Sequence, residues 1–393
     1  MKVNKTILIT ACITAVVSVV ATNTVRDYIF VKNNGDIIKK LSDVTNYVMD
    51  NSIYSANPEI IADNAATAIT ATVGDVYTRY LSKDEYKQYT DSISSSYFGI
   101  GLTLSSDILT GKVTVVGCEE NGPAAKAGVV VGDILTSVDG KECNSNTLSD
   151  VITAIKSKEE GTDVVVEIER NGEKIVYNVP FEKIQTNLVT SKMLEDGIGY
   201  IKIDSFKGSI DKDSRTAYDD FVEGVNTLRD EGMTKMIIDL RDNPGGDFGV
   251  VASIADEILD EGLITYTEDK NGKRSELNAM RGGLDYPMAV ITNGNSASAS
   301  EVLTGALKDN SKAVVVGEKT FGKGVVQSYR RLFDGSGLIV TSSRYFTPSG
   351  VCIQDIGIEP DVECKLPEGK TPGDFTVEND PQIAKAIEVL LNK

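Results

Sequence analysis

Three patterns of hydrophobic and polar positions follow one another along the 393-residue chain. In residues 26–95 apolar side chains recur at helical spacing, as at Ile37 and Leu41, which predicts a helical N-terminal region. In residues 96–185 short β-branched runs alternate with Gly, Asn-Gly and Asp-Gly turns, which is typical of a compact β-rich module. In residues 186–393 predicted strands alternate with predicted helices. The expected fold is therefore mixed α/β.

Residues 1–25 form a fourth segment, which is apolar almost without interruption from Ile7 to about Thr22. Lys2 and Lys5 precede the run, and positive charge favours the cytoplasmic side of a membrane. A good small-x-small cleavage site does not follow the run. We therefore expect an uncleaved, single-pass anchor in the cell membrane that leaves the rest of the chain outside the cytoplasm. A cleaved signal peptide is the alternative.

Composition removes several classes of function. The chain contains no histidine, which excludes the Ser-His-Asp triad, the Cys-His dyad and His-ligated zinc. A net charge of −18 repels phosphate backbones, so no nucleic-acid partner is expected. No two cysteines form a C-x-x-C pair, and no metal site is expected. Two disulfides outside the cell, Cys118 with Cys143 and Cys352 with Cys364, are left open.

Three segments of the α/β region carry candidate chemistry. Ser298 stands where a turn of small residues enters a helix, and Ser298-x-x-Glu301 matches a capping box. The same position, beside free backbone donors, also suits a nucleophile. Without histidine the base must be another group, and Lys323, which lies between two glycines that permit a close backbone approach, can serve if desolvation keeps it neutral. The turn Pro244-Gly245-Gly246 can present amides to an oxyanion. Each segment also has a structural alternative: a helix cap, a solvated loop lysine and a strand-to-helix connector.

The β-rich module contains two motifs that together resemble a PDZ domain. The first is Phe98-Gly99-Ile100-Gly101-Leu102, which is similar to the PDZ loop that binds a peptide carboxylate. The second runs from Asn121 to Leu135 and continues to the turn Asp139-Gly140. The resemblance implies that this module binds the C-terminal ends of peptides by adding them to the edge of its sheet.

The three segments of the α/β region, in their order along the chain, resemble those of the C-terminal processing peptidase family. Members of this family are tail-specific serine proteases with a PDZ domain and a Ser-Lys dyad. The resemblance covers the anchor, the helical region, the PDZ-like module and the α/β core, which it implies to be a crotonase-like protease core. The site residues that it implies are the nucleophile Ser298, the base Lys323, the residue Gln327 that orients the base, and an oxyanion hole made by the N–H of Ala299 with that of Gly245 or Gly246.

The function that the resemblance implies is a serine endopeptidase without a cofactor, which cleaves extracytoplasmic proteins and recognises their C-termini. A homo-oligomer and a regulatory partner are left open. Two other functions are weighed against this one. A PDZ adaptor without catalysis would require a misaligned dyad. A crotonase-like acyl transferase would use the Gly-Gly turn on thioesters, but the PDZ-like insert and the expected location argue against a coenzyme A substrate.

Overall fold

The computed structural model describes residues 32, 34–209, 214–280 and 283–392. The chain separates into two compact units, Met1–Ser82 and Lys83–Lys393. The anchor expected over residues 1–25 lies outside the described residues and stays a prediction. Among the helices that are described, none is both long enough and apolar enough to span a membrane.

The described part of the first unit is mainly helical. Its elements are α1 (34–51), α2 (Pro58–Ala71) and the short strand β1 (Arg79–Leu81). Asn57 caps α2, because its side-chain oxygen accepts a hydrogen bond from the Glu59 N–H at 2.9 Å. Pro58 takes the first helical position, where a missing N–H leaves no bond unmade. Both helices lie in the region where apolar residues recur at helical spacing.

The second unit begins with helix α3 (Lys83–Ile93) and continues into a β-rich module. The elements of this module are β2 (Ser96–Gly99), β3 (Leu102–Ser106), β4 (Val113–Cys118), α4 (Pro123–Ala127), β5 (Ile134–Val138), β6 (Lys141–Glu142), α5 (Leu148–Lys156), β7 (Asp163–Arg170), β8 (Glu173–Pro180) and β9 (Glu182–Gln185). The main sheet has the antiparallel order β3-β4-β5-β7-β8, with β6 beside β5, while β2 pairs with β9. Strand β3 is therefore at one end of its sheet. Alternate residues of β7, such as Val164 and Val166, are fully buried, as expected of a strand with one face on the core.

Two local features organise this module. Asp139 and Gly140 join β5 to β6 with positive φ angles of 50° and 75°, which is the hairpin turn that the sequence predicts. The buried carboxylate of Asp133 accepts hydrogen bonds from the Val130 N–H at 2.9 Å and from Arg170 Nε at 2.6 Å. The Arg170 guanidinium is the main reason that the pKa of Asp133 lies below its usual value.

The α/β core follows the β-rich module. Its elements are β10 (Val189–Met193), β11 (Ile198–Ile203), α6 (Ala217–Asp230), β12 (Lys235–Asp239), α7 (Phe248–Ile258), β13 (Gly262–Asp269), β14 (Arg274–Ala279), β15 (Met288–Thr292), α8 (Ala299–Asp309), β16 (Ala313–Gly317), β17 (Val325–Arg331), β18 (Gly337–Phe346), β19 (Val362–Glu363) and α9 (Pro381–Leu391). One sheet has the order β10-β11-β12-β15-β16-β19, in which β11 to β19 are parallel. The pairs β17-β18, β18-β13 and β13-β14 are antiparallel. The mixed α/β fold is thus confirmed.

The parallel sheet determines the positions of two segments that carry candidate site residues. Every residue of β15 is buried, since helices cover both faces of a parallel sheet. Strands β12 and β15 are neighbours and point the same way, so the turns that follow Asp239 and Thr292 leave the same edge. One turn carries Gly245 and Gly246, and the other carries Ser298. Ligands of open α/β sheets bind at this edge, beyond the carboxyl ends of the strands.

The four cysteines of the second unit carry free thiols: Cys118, Cys143, Cys352 and Cys364. The two disulfides that the sequence left open are therefore not formed in this structure. Burial raises the pKa of the Cys118 and Cys143 thiols, which disfavours the thiolate that disulfide exchange requires.

Candidate active site

Ser298 stands at the N-cap of α8 in a backbone conformation that residues with a Cβ rarely adopt. Its φ is 57° and its ψ is −114°. Its N–H donates to Glu301 Oε2 at 2.9 Å, and its carbonyl accepts from the Tyr345 hydroxyl at 3.0 Å. The Glu301 half of the predicted capping box is therefore present. These bonds hold both sides of the strained residue in place.

The carboxylate of Glu301 joins the serine to the lysine segment. It is fully buried and accepts four hydrogen bonds. The donors are Ser298 N–H (2.9 Å) and Lys323 N–H (2.9 Å) on one oxygen, and Thr320 Oγ1 (2.6 Å) and Gly322 N–H (2.7 Å) on the other. The sequence predicts Glu301 only as a helix cap. A signal was available, because this carboxylate lies in a helix whose neighbouring residues are almost all small or apolar.

The two glycines around Lys323 have the function that the sequence predicts, a close backbone approach. A Cβ on Gly324 would overlap the Gln354 N–H, and one on Gly322 would lie 3.0 Å from the Gly357 N–H. Both glycines are buried, whereas Lys323 is half-buried. The segment is thereby fixed against its neighbour while the lysine side chain faces an open space.

Most of the predicted catalytic residues share one cavity of about 530 Å³. Ser298, Lys323, Gln327, Ala299 and Gly246 all line it. The side-chain Nε2 of Gln327 is buried and donates to no residue among those that the structure describes. The structure thus brings nucleophile, base and amide candidates to the same space, whereas Gly245 is not among the lining residues.

The two glycines of the turn after β12 are not equivalent. The Gly245 N–H donates to Asn243 Oδ1 at 2.8 Å, so it is already used. The N–H groups of Gly246 and Ala299 donate to none of the described residues. A Cβ on Gly245 would come within 2.9 Å of the Ala299 nitrogen, and one on Gly246 would overlap the Phe206 carbonyl. The geometry favours Gly246 over Gly245 as an oxyanion donor.

A buried polar network anchors the start of this turn. Arg241 binds Asp239 through Nε at 2.9 Å, Asp380 through Nη1 at 2.7 Å and Gln382 through Nη1 at 2.9 Å. The Tyr200 hydroxyl donates to Asp239 at 2.8 Å. Burial by itself lowers the pKa of Arg241, but Asp239 and Asp380 outweigh it and hold the pKa above its usual value. Helix α9 is thereby connected to the turn, a link that sequence analysis did not foresee.

Helix α3 forms a wall of the same cavity. Its residues Tyr86, Tyr89, Thr90 and Ile93 line the space that contains Ser298. The sequence predicts no chemistry for the helical region before the β-rich module. The spacing of these four residues, which places them on one helix face, was the available signal.

At its centre, the predicted carboxylate-binding loop of the β-rich module pairs its carbonyls but not its N–H groups with described residues. The carbonyls of Ile100 and Gly101 accept hydrogen bonds from the N–H groups of Ala124 and Glu119, both at 2.9 Å. Their own N–H groups donate to no residue in the described part of the chain. Gly101 has a φ of 83°, which favours glycine. The other loop residues, Phe98, Gly99 and Leu102, belong to the strands on either side.

Comparison with known proteins identifies the family. Residues 197–364 match the model of peptidase family S41, and residues 96–180 match that of the PDZ domain. The protein named probable CtpA-like serine protease of Staphylococcus aureus (strain MRSA252) is 31% identical over 402 residues, which cover 98% of this chain and 77% of that protein. The chain belongs to peptidase family S41. This S41 peptidase is also 34% identical over 314 residues to the chloroplastic carboxyl-terminal-processing peptidase 2 of Arabidopsis thaliana, which covers 76% of this chain and 59% of that protein.

A solved structure agrees with this assignment. The photosystem II D1 C-terminal processing protease is similar to this S41 peptidase with a TM-score of 0.50 and 28% identity, covering 84% of this chain and 88% of that one. The protein is therefore a C-terminal processing serine protease with a PDZ domain, and its substrates are proteins or peptides. The family predicted from the motifs is confirmed, and the adaptor and thioester functions gain no support.

Proposed function

We propose that this S41 peptidase is a Ser-Lys dyad endopeptidase in which Ser298 is the nucleophile and Lys323 is the general base. The observation that carries the proposal is the shared cavity, which Ser298 and Lys323 line together with Gly246 and Ala299. The carboxylate of Glu301 adds support, because it holds the backbone N–H groups of both dyad residues at 2.9 Å.

The proposed reaction uses these groups in two steps. Neutral Lys323 accepts the proton of Ser298 as its Oγ attacks a peptide carbonyl, and the N–H groups of Gly246 and Ala299 hold the oxyanion. Each such donor contributes about 3 kcal/mol to the stability of the transition state. The resulting ammonium protonates the leaving amine, and water then hydrolyses the acyl-enzyme with Lys323 again as base.

Gln327 is proposed to orient Lys323. It lines the same cavity, and its buried amide nitrogen is committed to no other residue that the structure describes. The Oε1 of the same amide can accept a hydrogen bond from Lys323 Nζ, which leaves the lone pair of neutral lysine available for the Ser298 proton.

The PDZ domain is proposed to deliver the substrate. The Ile100 and Gly101 N–H groups are available to a C-terminal carboxylate, and the neighbouring strand β3 is the end strand of its sheet. An extended tail can therefore add to β3 while its carboxylate binds the loop. Disordered C-terminal tails satisfy this requirement best.

The extracytoplasmic location of the substrates is also a proposal. Its support is the apolar run within residues 1–25, which follows Lys2 and Lys5. Adding an external protease to intact cells tests it. Digestion of the catalytic part without lysis is expected, and protection until lysis would contradict the location.

The dyad is tested by proteolysis with the full-length chain. An unfolded protein and a peptide with a free C-terminal tail are incubated with the wild type, Ser298→Ala and Lys323→Ala, and products are identified by mass spectrometry across pH. Lys319→Ala is the matched control, because Lys319 is half-exposed and pairs with Glu359. We expect cleavage that rises with pH in the wild type and the control and vanishes in both dyad variants. Full activity of either dyad variant would refute the assignment.

A further inference from the structure

Helix α3 is polar except along one face. Tyr86, Tyr89, Thr90 and Ile93 are spaced three, one and three residues apart, which places them on the same side. All four are half-buried and line the cavity that contains Ser298. The residues on the remaining surface are exposed: Lys83, Asp84, Glu85, Lys87, Gln88, Asp91 and Ser92. An amphipathic helix normally buries its apolar face in a core, but this helix has no fully buried residue and turns that face to the cavity.

Two contacts fix α3 against the hairpin of β17 and β18. The ring of Tyr86 occupies the space where a Cβ on Gly337 would lie, so any larger residue there would displace this ring. The ring of Tyr89 packs edge-on against that of Tyr329, with 6.1 Å between the ring centroids and an interplanar angle of 63°. Strand β17 also carries Gln327. The wall formed by α3 therefore has a defined position relative to the candidate catalytic groups.

The rest of the cavity is mostly apolar or aromatic. The apolar and aromatic lining residues outside α3 are Phe248, Val302, Val325, Val326, Tyr329 and Tyr345, and the cavity is also lined by Gly208, Ser209 and Pro244. Among the described lining residues only Lys323 and Asp247 are charged. Lys323 is the proposed base, and Asp247 caps α7 by accepting from the Val250 N–H at 3.0 Å. Both charged groups already have a role, so neither is available to pair with a charged side chain of the substrate. Burial of such an unpaired charge is strongly unfavourable.

From this arrangement we infer that the cavity is a specificity pocket for an apolar side chain of the substrate, and that Tyr89 on α3 limits the size of that side chain. The side chain is that of the acyl-side residue, whose carbonyl Ser298 attacks. The inference rests on the proposed function, because it assigns a substrate group to the same site. A cavity of about 530 Å³ is within the usual size range of ligand pockets.

The test uses two peptide series with the full-length chain. One series varies the acyl-side residue through Ala, Val, Leu, Phe, Lys and Asp, and the other varies the residue after the scissile bond. We compare kcat/KM in the wild type, Tyr89→Ala and Tyr89→Trp, with Gln88→Ala on the exposed face as matched control. Each preparation is normalised to the fraction of Ser298 labelled by a fluorophosphonate.

For the wild type we expect apolar acyl-side residues to exceed Lys and Asp by about 100-fold or more. Tyr89→Ala is expected to raise the Phe-to-Ala ratio at least about tenfold, and Tyr89→Trp to lower it, since one methylene in an apolar pocket changes rates by about 10- to 200-fold. Gln88→Ala should match the wild type. Unchanged ratios in labelled Tyr89→Ala, a response only in the second series, or a preference for Lys would each overturn the inference.

Failure of the proposed function is a separate result. If Ser298→Ala cleaves as well as the wild type, the nucleophile assignment is wrong, whatever the specificity. If no protein cleaves, peptides that end in Ala or Phe are bound to Ser298→Ala and to Ser298→Ala with Tyr89→Ala, and their affinities are measured by NMR titration. An increase in the Phe-to-Ala affinity ratio on removing Tyr89 supports the pocket, and an unchanged ratio refutes it.

Discussion

Replacing Glu301 by Gln is the sharpest test of how the proposed dyad is held together. The change keeps the size of the side chain but replaces one oxygen by an NH₂ group. Each oxygen of Glu301 now accepts two hydrogen bonds. Whichever oxygen is replaced, the NH₂ group of the glutamine faces two buried donors and cannot accept their hydrogen bonds.

The structure sets the size of the effect. A hydrogen bond to a charged group is worth about 1.5–3 kcal/mol, so losing two of them costs about 3–6 kcal/mol. That is a large part of the roughly 5–15 kcal/mol by which a domain is stable. If the variant relaxes by moving the Ser298 or Lys323 segment, a displacement of about 1 Å lowers the rate by about 100-fold.

Two measurements separate these effects. Urea unfolding of the full-length chain reports the stability, and the rate of fluorophosphonate labelling reports the reactivity of Ser298 in the folded fraction. Glu359→Gln is the matched control, because Glu359 is exposed and its ion pair with Lys319 lies at the surface, where such pairs contribute at most about 1 kcal/mol. Wild-type stability and labelling rate in Glu301→Gln would refute the view that this carboxylate positions the proposed dyad.

Three further predictions follow from other parts of the structure. Gly246→Ala should lower kcat by about 100-fold or more with little change in KM, because its Cβ would overlap the Phe206 carbonyl and displace the proposed oxyanion donor; an unchanged kcat in steady-state assays would exclude that donor. Gly101→Ala should weaken binding of a C-terminal peptide at least tenfold by fluorescence polarisation, because φ is 83° there; the wild type should also bind the peptide amide weakly, and equal affinity for amide and acid would contradict the loop assignment. Because Arg170 lowers the pKa of Asp133, the Asp133 carboxylate stabilises the fold at pH values above its unfolded pKa of about 3.8. This stabilisation is lost as the pH falls through the lower folded pKa. Asp133→Asn should therefore lower the urea midpoint at pH 7 more than at pH 3, and an equal loss at both would contradict this.

Local backbone requirements were readable from residue type. In three places the types of a few consecutive residues specify the backbone conformation: the Asp139-Gly140 turn, the glycines beside Lys323 and the Ser298-x-x-Glu301 pair. The same holds for the alternation of strands and helices that gave the α/β fold. These features need no knowledge of distant segments, so the sequence predicted them correctly.

Contacts between residues that lie far apart in the chain could not be predicted from such local patterns. The Arg241 guanidinium meets Asp380 across 139 positions, and Tyr86 packs on Gly337. No local pattern encodes either contact, because each depends on how whole elements pack. For the same reason the sequence could not tell whether Gly245 or Gly246 keeps a free N–H, since the answer depends on the folded path of the turn.

The sequence by itself thus determined which residues are available for chemistry. The lack of histidine left lysine as a candidate base, and the motifs pointed to Ser298 and Lys323. The tertiary structure decided how these groups are arranged, through the four bonds of Glu301 and the face of α3. The physical reason is that residue type fixes local conformation and reactivity, whereas packing between distant segments fixes which groups share a cavity and which hydrogen-bond donors remain unused.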